Sequence, residues 1–280
     1  MVQKSIRKLS ENEISFLYEL DLYENVLKYV HLISLNQHGI NTDGRGVRAM
    51  KIFTRQTLTA ISLRKLIPTP SPTKAIDEDL WDISSIASLT RNIVEGFLSL
   101  SYFGLEKISE SEAELRFFIF QLHRNTELFH IGKNEMDEVE LKQFENGLPI
   151  EKERIKNHEY LNKLPSHQKK RALQGLEIYK TKADFEKDLS ICKDLVKQYR
   201  HLSNLTHPLP LSIETINNNH GRGIGSDSEV NYSVVCIMLA RRYLAATVVE
   251  VVDFFSLELG NKFKKELDLI RPLQNAGFAT

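Results

Sequence analysis

Cysteine is scarce in this chain: Cys192 and Cys236 stand alone, 44 positions apart and each inside a helical pattern. That excludes a disulfide framework and any cysteine-based zinc spacing, and it suits a reducing compartment, so a cytoplasmic location is expected. A surplus of charge is also missing, because 37 Lys and Arg balance 37 Asp and Glu. Without a global field, any attraction of anions must come from local patches. No long apolar run is unbroken. The most apolar stretch, 230–259, is interrupted by Arg241, Arg242, Glu250 and Asp253, whereas a bilayer span needs roughly 20 apolar residues. It reads as a buried helix, and no membrane partner is expected. MVQKSIRKLSENE lacks the apolar centre of a secretory signal. Alternating strand patterns and a repeat period are absent as well.

What the chain does have is helical periodicity. Its 41% apolar and 26% charged content is ordinary for a globular protein, which rules out disorder throughout. Ser10 and Glu13 form a capping box that opens a helix over about 10–37. After the turn HGINTDGRG a second helix covers about 47–66, and PTPSPTK breaks the chain. Helices follow over about 78–103 and 111–131, with Gly132 as the cap of the latter. From 133 to 182 the chain becomes charged, acidic first and basic later, and Pro149 and Pro165 divide it into short helical pieces. The basic run reads as a solvated face; it could touch phosphates but lacks interleaved aromatics. A long helix over about 183–206, the loop PLPLSIETINNNHGRGIGS, and a last long helix from a Ser226–Glu229 capping box to about 259 complete the pattern, with a shorter closing helix. The expected fold is all-α: a single domain over 1–280, a bundle of four to six long helices, with 133–182 as a charged helical insertion or outer hairpin.

The helix over 183–206 changes character near its end. Leu189, Cys192, Leu195, Val196, Tyr199 and Leu202 form an apolar stripe at 100° per residue. Continued, the stripe meets Ser203, Thr206 and His207, with Arg200 at its edge, about 20° from His207. Polar groups on an inward face imply a hydrogen-bond network or a wet pocket. The structural reading is that His207 caps the helix and meets its dipole while Arg200 pairs with an acid elsewhere.

Two other helices carry unusual groups. The stretch 84–105 holds just two charges, Arg91 and Glu95, one turn apart, with Leu98 and Tyr102 continuing that face. Charges on so apolar a helix are kept when paired or used, so they either fix helix register or reach the pocket of Arg200 and His207. In QLHRNTELFHI, His123, Glu127 and His130 share a face, and Glu127-x-x-His130 has the spacing of di-iron bundles. A second such pair is missing from the core helices, although Glu95 could add a carboxylate. A metal-dependent bundle enzyme is thus a third class of reading.

An Arg, a polar neighbour and a following His in an all-α bundle resemble the HEPN superfamily, whose hallmark is Arg, four to six residues, then His. Arg200 to His207 has six intervening residues and Arg124 to His130 has five. Six keep the two side chains on one helix face, whereas five set them about 120° apart, so the first match is the better. LTRNIVEGFLSL with YRHLSNLTHP is also similar to a bacterial domain family of unknown function that carries an Arg-x3-Glu helix and a Tyr-Arg-x2-Ser-x3-His helix. The resemblance implies a metal-independent ribonuclease or RNA-binding protein of the toxin or phage-defence kind, acting without a cofactor, with two sites across a homodimer. An imidazole can move the 2′-hydroxyl proton. A guanidinium can neutralise the phosphorane. Ser203 or Asn204 would orient the phosphate, with Tyr199 and Tyr102 as substrate contacts. His220 and Arg222 lie in a Gly-rich turn ahead of a helix, a phosphate-facing position. The rival class is a non-enzymatic helical module that binds a partner protein.

Overall fold

The computed structural model describes residues 7–74, 78–208, 210–217 and 224–274. They are all-α; β-structure among them is limited to the isolated bridges Ser71 with Lys74 and Leu80 with Ile224. The chain divides into two compact units, Met1–Leu105 with Ser190–Thr280, and Glu106–Leu189. The charged stretch 133–182 falls wholly in the second unit. That unit also takes the preceding helix, α4 (Glu110–Gly132), so the compositional shift does not mark its edge. The reason is that α4 has its own apolar face, Leu115, Ile119 and Leu122, and this belongs to the smaller unit's core.

The first unit is built on α1 (Glu11–Asn36), α2 (Gly44–Leu66), α3 (Ile83–Leu100) and α10 (Asp227–Phe254). The Ser10–Glu13 capping box starts α1 as expected, and Asp43 caps α2 through the Gly46 N–H. Each helix turns one apolar stripe inward. Polar links then fix the register: Tyr23 Oη donates to Ala60 O at 2.7 Å, and Gln56 Nε2 to Ile93 O at 2.8 Å. The stretch 230–259 is the buried helix expected of it. Ser226 caps it through the Ser228 N–H, but in place of the expected capping box its hydroxyl donates to the Glu229 carboxylate. No helix of the described residues is long and apolar enough to cross a membrane. After α3 the chain widens into a π-helical turn, Ser101–Leu105. There Gly104 lies so close to α2 that a Cβ would come within 2.6 Å of the Ala49 Cβ, so another residue would force the two apart.

Four expectations are corrected. The helix over 183–206 is broken into α7 (Lys182–Asp188), a 3₁₀ turn Ser190–Cys192 and α8 (Leu195–Thr206). Leu189 is extended and Asp194 is left-handed at φ 64°, a conformation that Asp tolerates. Pro149 does not divide the charged stretch: α5 (Glu138–Lys156) runs through it, because the carbonyl that the ring leaves unpaired sits at exposed Glu145. Gly132 is the last helical residue of α4 rather than a left-handed cap, and Lys133 follows in ordinary helical geometry. The loop after 207 contains a helix, α9 (Pro210–Asn217), opened by a proline whose fixed φ suits a first turn. α6 (Ser166–Leu173) and α11 (Lys264–Ile270) complete the two units.

The second unit holds an ionic network. Glu112 accepts from Tyr179 Oη at 2.6 Å, from Tyr160 Oη and from Arg116. Arg116 also meets Glu106 at 2.8 Å, and Lys180 meets Glu106 at 2.6 Å. Burial works to raise the Glu112 carboxyl, but the tyrosine and arginine bonds outweigh it and hold the group below its usual range. The folded unit therefore binds this proton less tightly than the unfolded chain. The stabilisation is complete above about pH 4.5, the ordinary carboxylate value, and is lost as pH falls through the folded value. Urea unfolding followed by circular dichroism should show Glu112→Gln clearly destabilising near neutrality. The gap between variant and wild type should narrow in acid; a constant gap would contradict the network's role.

Candidate functional site

α3 sets the site's position. Asp82 caps it, and Ile86, Ala87, Thr90, Ile93, Val94 and Phe97 fill its buried face. At 100° per residue this leaves Arg91 and Glu95 along one border of that face. They pair, Nε to Oε1 at 3.3 Å, but their side chains are 24% and 40% exposed. The apolar face of α3 is thus buried while this edge is open to solvent.

α8 packs against α3, with Ser84 Oγ donating to Thr206 O at 2.9 Å. The helix ends at Thr206, and His207 is its extended C-cap. The His207 N–H donates to Ser203 O, and its carbonyl accepts from Ser212 Oγ of α9 at 2.6 Å. Held at both ends of its backbone, His207 brings Nε2 to 3.3 Å from Arg91 Nη1. Arginine can only donate, so this contact takes the neutral imidazole with its proton on Nδ1. Nε2 is then a lone pair beside a cation on an exposed surface.

Tyr199 closes the cluster. Its hydroxyl donates to Glu95 Oε1 at 2.5 Å, and the Arg91 guanidinium lies 4.7 Å from the centre of its ring. Burial, and then the hydrogen bond to Glu95, push the phenol up to about 12. The group is a donor at any physiological pH and keeps the carboxylate from swinging away. A raised phenol value means that the fold holds the proton more tightly than the unfolded chain does. This contribution is intact below the ordinary tyrosine value of 10 and is lost as pH rises from there through about 12. Ultraviolet titration of wild type minus Tyr199→Phe should give one phenol ionising near 12; a difference curve centred near 10 would contradict the clamp.

Arg91, Glu95, Tyr199 and His207 are therefore brought together, and the other expected residues are not. Arg200 is exposed, and its guanidinium makes no hydrogen bond or ion pair among the described residues. The cation beside the imidazole is Arg91 because α8 stops one residue short of His207, so the one-face geometry of a continuous helix does not extend to it. Asn204 turns its amide back onto Arg200 O at 2.8 Å, and Ser203 is half-buried. Tyr102 is fully buried, packed on Phe103 at 4.9 Å, because the π-helical turn shifts the phase of α3 and carries it inward. His220 and Arg222 lie outside the described residues.

In the second unit, His123 is directed to Gly175 O at 3.2 Å, while Glu127 and His130 are exposed. No group of three or more His, Cys, Asp or Glu among the described residues is placed to hold a metal ion, this trio included. α4 continues unbroken past His130, so Arg124 and His130 stay on different faces.

The sequence reading missed a groove between α2 and α3, of about 280 Å³, whose lining includes Glu95. A signal for it exists: Gln56 interrupts the inward stripe Ala49, Phe53, Ala60 and Leu63 of α2. Comparison of the chain with protein-family models, with curated proteins and with solved structures gives no match.

Proposed function

We propose that the chain is a HEPN-like, metal-independent endoribonuclease of the toxin or phage-defence kind, with His207 and Arg91 as its catalytic pair. The observation that carries this reading is the 3.3 Å contact between a solvent-exposed imidazole and a guanidinium that Glu95 and Tyr199 hold in place. In the reaction, Arg91 turns from His207 to the phosphate, and the freed Nε2 takes the proton of a ribose 2′-hydroxyl. The 2′-oxygen attacks the adjacent phosphorus, and the 5′-oxygen leaves and takes up a proton from solvent. Arg91 offsets the charge added to the phosphorane. Arg200, whose guanidinium is unengaged among the described residues, adds a second cation for the strand, and Ser203 orients a phosphate oxygen. By resemblance, the working form is a homodimer. The test is labelled RNA incubated with the purified protein in excess EDTA. Fragments ending in a 2′,3′-cyclic phosphate and a 5′-hydroxyl support the reading; intact RNA and no RNA binding overturn it.

A helical module that binds a partner protein is the second reading. It is favoured by Ile14, Tyr18, Leu32 and Leu35, large apolar residues left exposed along α1 within about 100° of arc. It predicts intact RNA in the same assay.

A further inference from the structure

The α2–α3 groove reaches the candidate site at Glu95 but is lined by other residues. Its volume, about 280 Å³, falls just below the range of pockets that enclose whole small molecules and suits a single flat ring system. Most of the residues that line it are polar. Gln56 is buried, and its Nε2 donates to Ile93 O at 2.8 Å. A carbonyl only accepts, so this bond fixes which way the amide lies. Gln56 Oε1 is then a buried acceptor with no donor among the described residues, a condition that folded proteins rarely tolerate. Gly96 lies alongside: a Cβ there would stand 3.3 Å from Gln56 Cγ and 3.5 Å from its Nε2, so the missing side chain leaves the flank of the amide open.

Two further residues that line the same groove, Arg55 and Asn92, carry a guanidinium and an amide. Both residues are exposed, and neither side chain is engaged among the described residues. An unpaired amide oxygen, a second amide and a free guanidinium plane are the groups that read and stack an unpaired base. Ile52 is the groove's one large apolar group, which disfavours a hydrophobic ligand.

We infer that the α2–α3 groove is a nucleotide subsite. A base donates a ring or exocyclic N–H to Gln56 Oε1 and lies against Arg55, while its ribose turns toward Glu95 and the Arg91–His207 pair. That the nucleotide belongs to an RNA strand rests on the ribonuclease reading; a free mononucleotide would use the same contacts. The experiment pairs two measurements on the full chain. A 2′-O-methyl oligonucleotide, which cannot be cleaved, carries 4-thiouridine and is photo-crosslinked, and the adducts are mapped by mass spectrometry. Fluorescence anisotropy then compares wild type, Arg55→Ala, Asn92→Ala and Gln56→Met for affinity. Adducts within 52–59 or 92–99, with affinity about tenfold weaker in Arg55→Ala, are expected. If Gln56→Met unfolds the protein, the exposed Arg55 and Asn92 variants still decide. Wild-type affinity in both, with adducts elsewhere, overturns the subsite even where wild type cleaves RNA. If wild type neither cleaves nor binds RNA, but binds mononucleotides in an Arg55-dependent way, the subsite stands and the ribonuclease reading falls.

Discussion

Alanine at position 207 is expected to lower RNA cleavage by about 10²–10⁴-fold, the usual contribution of a general base, while leaving the melting temperature nearly unchanged. The two halves of this expectation have separate causes. The His207 side chain is exposed, and its polar contact is with Arg91, so its removal opens no cavity and strands no buried group. Its backbone bonds to Ser203 and Ser212 survive the substitution. Arg91→Ala should cost about 10²–10³ in rate, the range for loss of one group that stabilises developing charge. Arg200→Ala supplies the contrast. Motif spacing names Arg200 as the partner of His207, but the geometry names Arg91, so the Arg91 variant should be the more damaged. Equal activity of His207→Ala and wild type would leave the polar cluster a structural feature.

The largest stability effect is expected at Arg241→Ala, a loss of about 3–5 kcal/mol. Arg241 is 1% exposed in the middle of α10; it meets Glu19 of α1 at 3.3 Å and donates to Leu273 O at 3.1 Å. Truncation leaves the Glu19 carboxylate, itself largely covered, without its cation in a packed interface. The double variant Glu19→Leu with Arg241→Met should recover most of the loss, because apolar groups of similar volume escape the desolvation penalty altogether. The single tryptophan, Trp81, packs on Phe16 at 5.2 Å in the same unit, so its fluorescence during guanidinium unfolding reports on the unit concerned. A loss below about 1 kcal/mol in the single variant would show that Glu19 finds water or another partner.

Much of the fold was legible because its causes are local. The Ser10–Glu13 capping box, the helix after Asp43, the long buried helix after Ser226 and the proline break near 70 all follow from groups a few residues apart. The failures are also instructive. Asp194 breaks a strongly periodic stretch, since a short acid can enter the left-handed region that ends a turn. Pro149 fails to break another, since solvent stands where the lost backbone bond would have been. Tyr102 goes inward because a π-helical turn rotates everything after it, and no composition rule announces such a turn.

The candidate site divides along the same line. Arg91, Glu95 and His207 were visible as polar groups near inward helix faces, while Tyr199 stood in an apolar stripe. Which of them meet was not visible, because Arg91 and His207 lie 116 positions apart and their contact depends on how α8 sits on α3 and where it stops. By itself the sequence determined the all-α class, the principal caps and the burial of 230–259, because backbone hydrogen bonds and the 3.6-residue period act within a few turns. The tertiary structure alone decided that Arg91 rather than Arg200 faces the imidazole, that the Arg91–Glu95 pair is open to solvent, and that a groove runs from Glu95 along α2. These depend on the packing of distant segments, where a single residue at a helix end redirects a side chain.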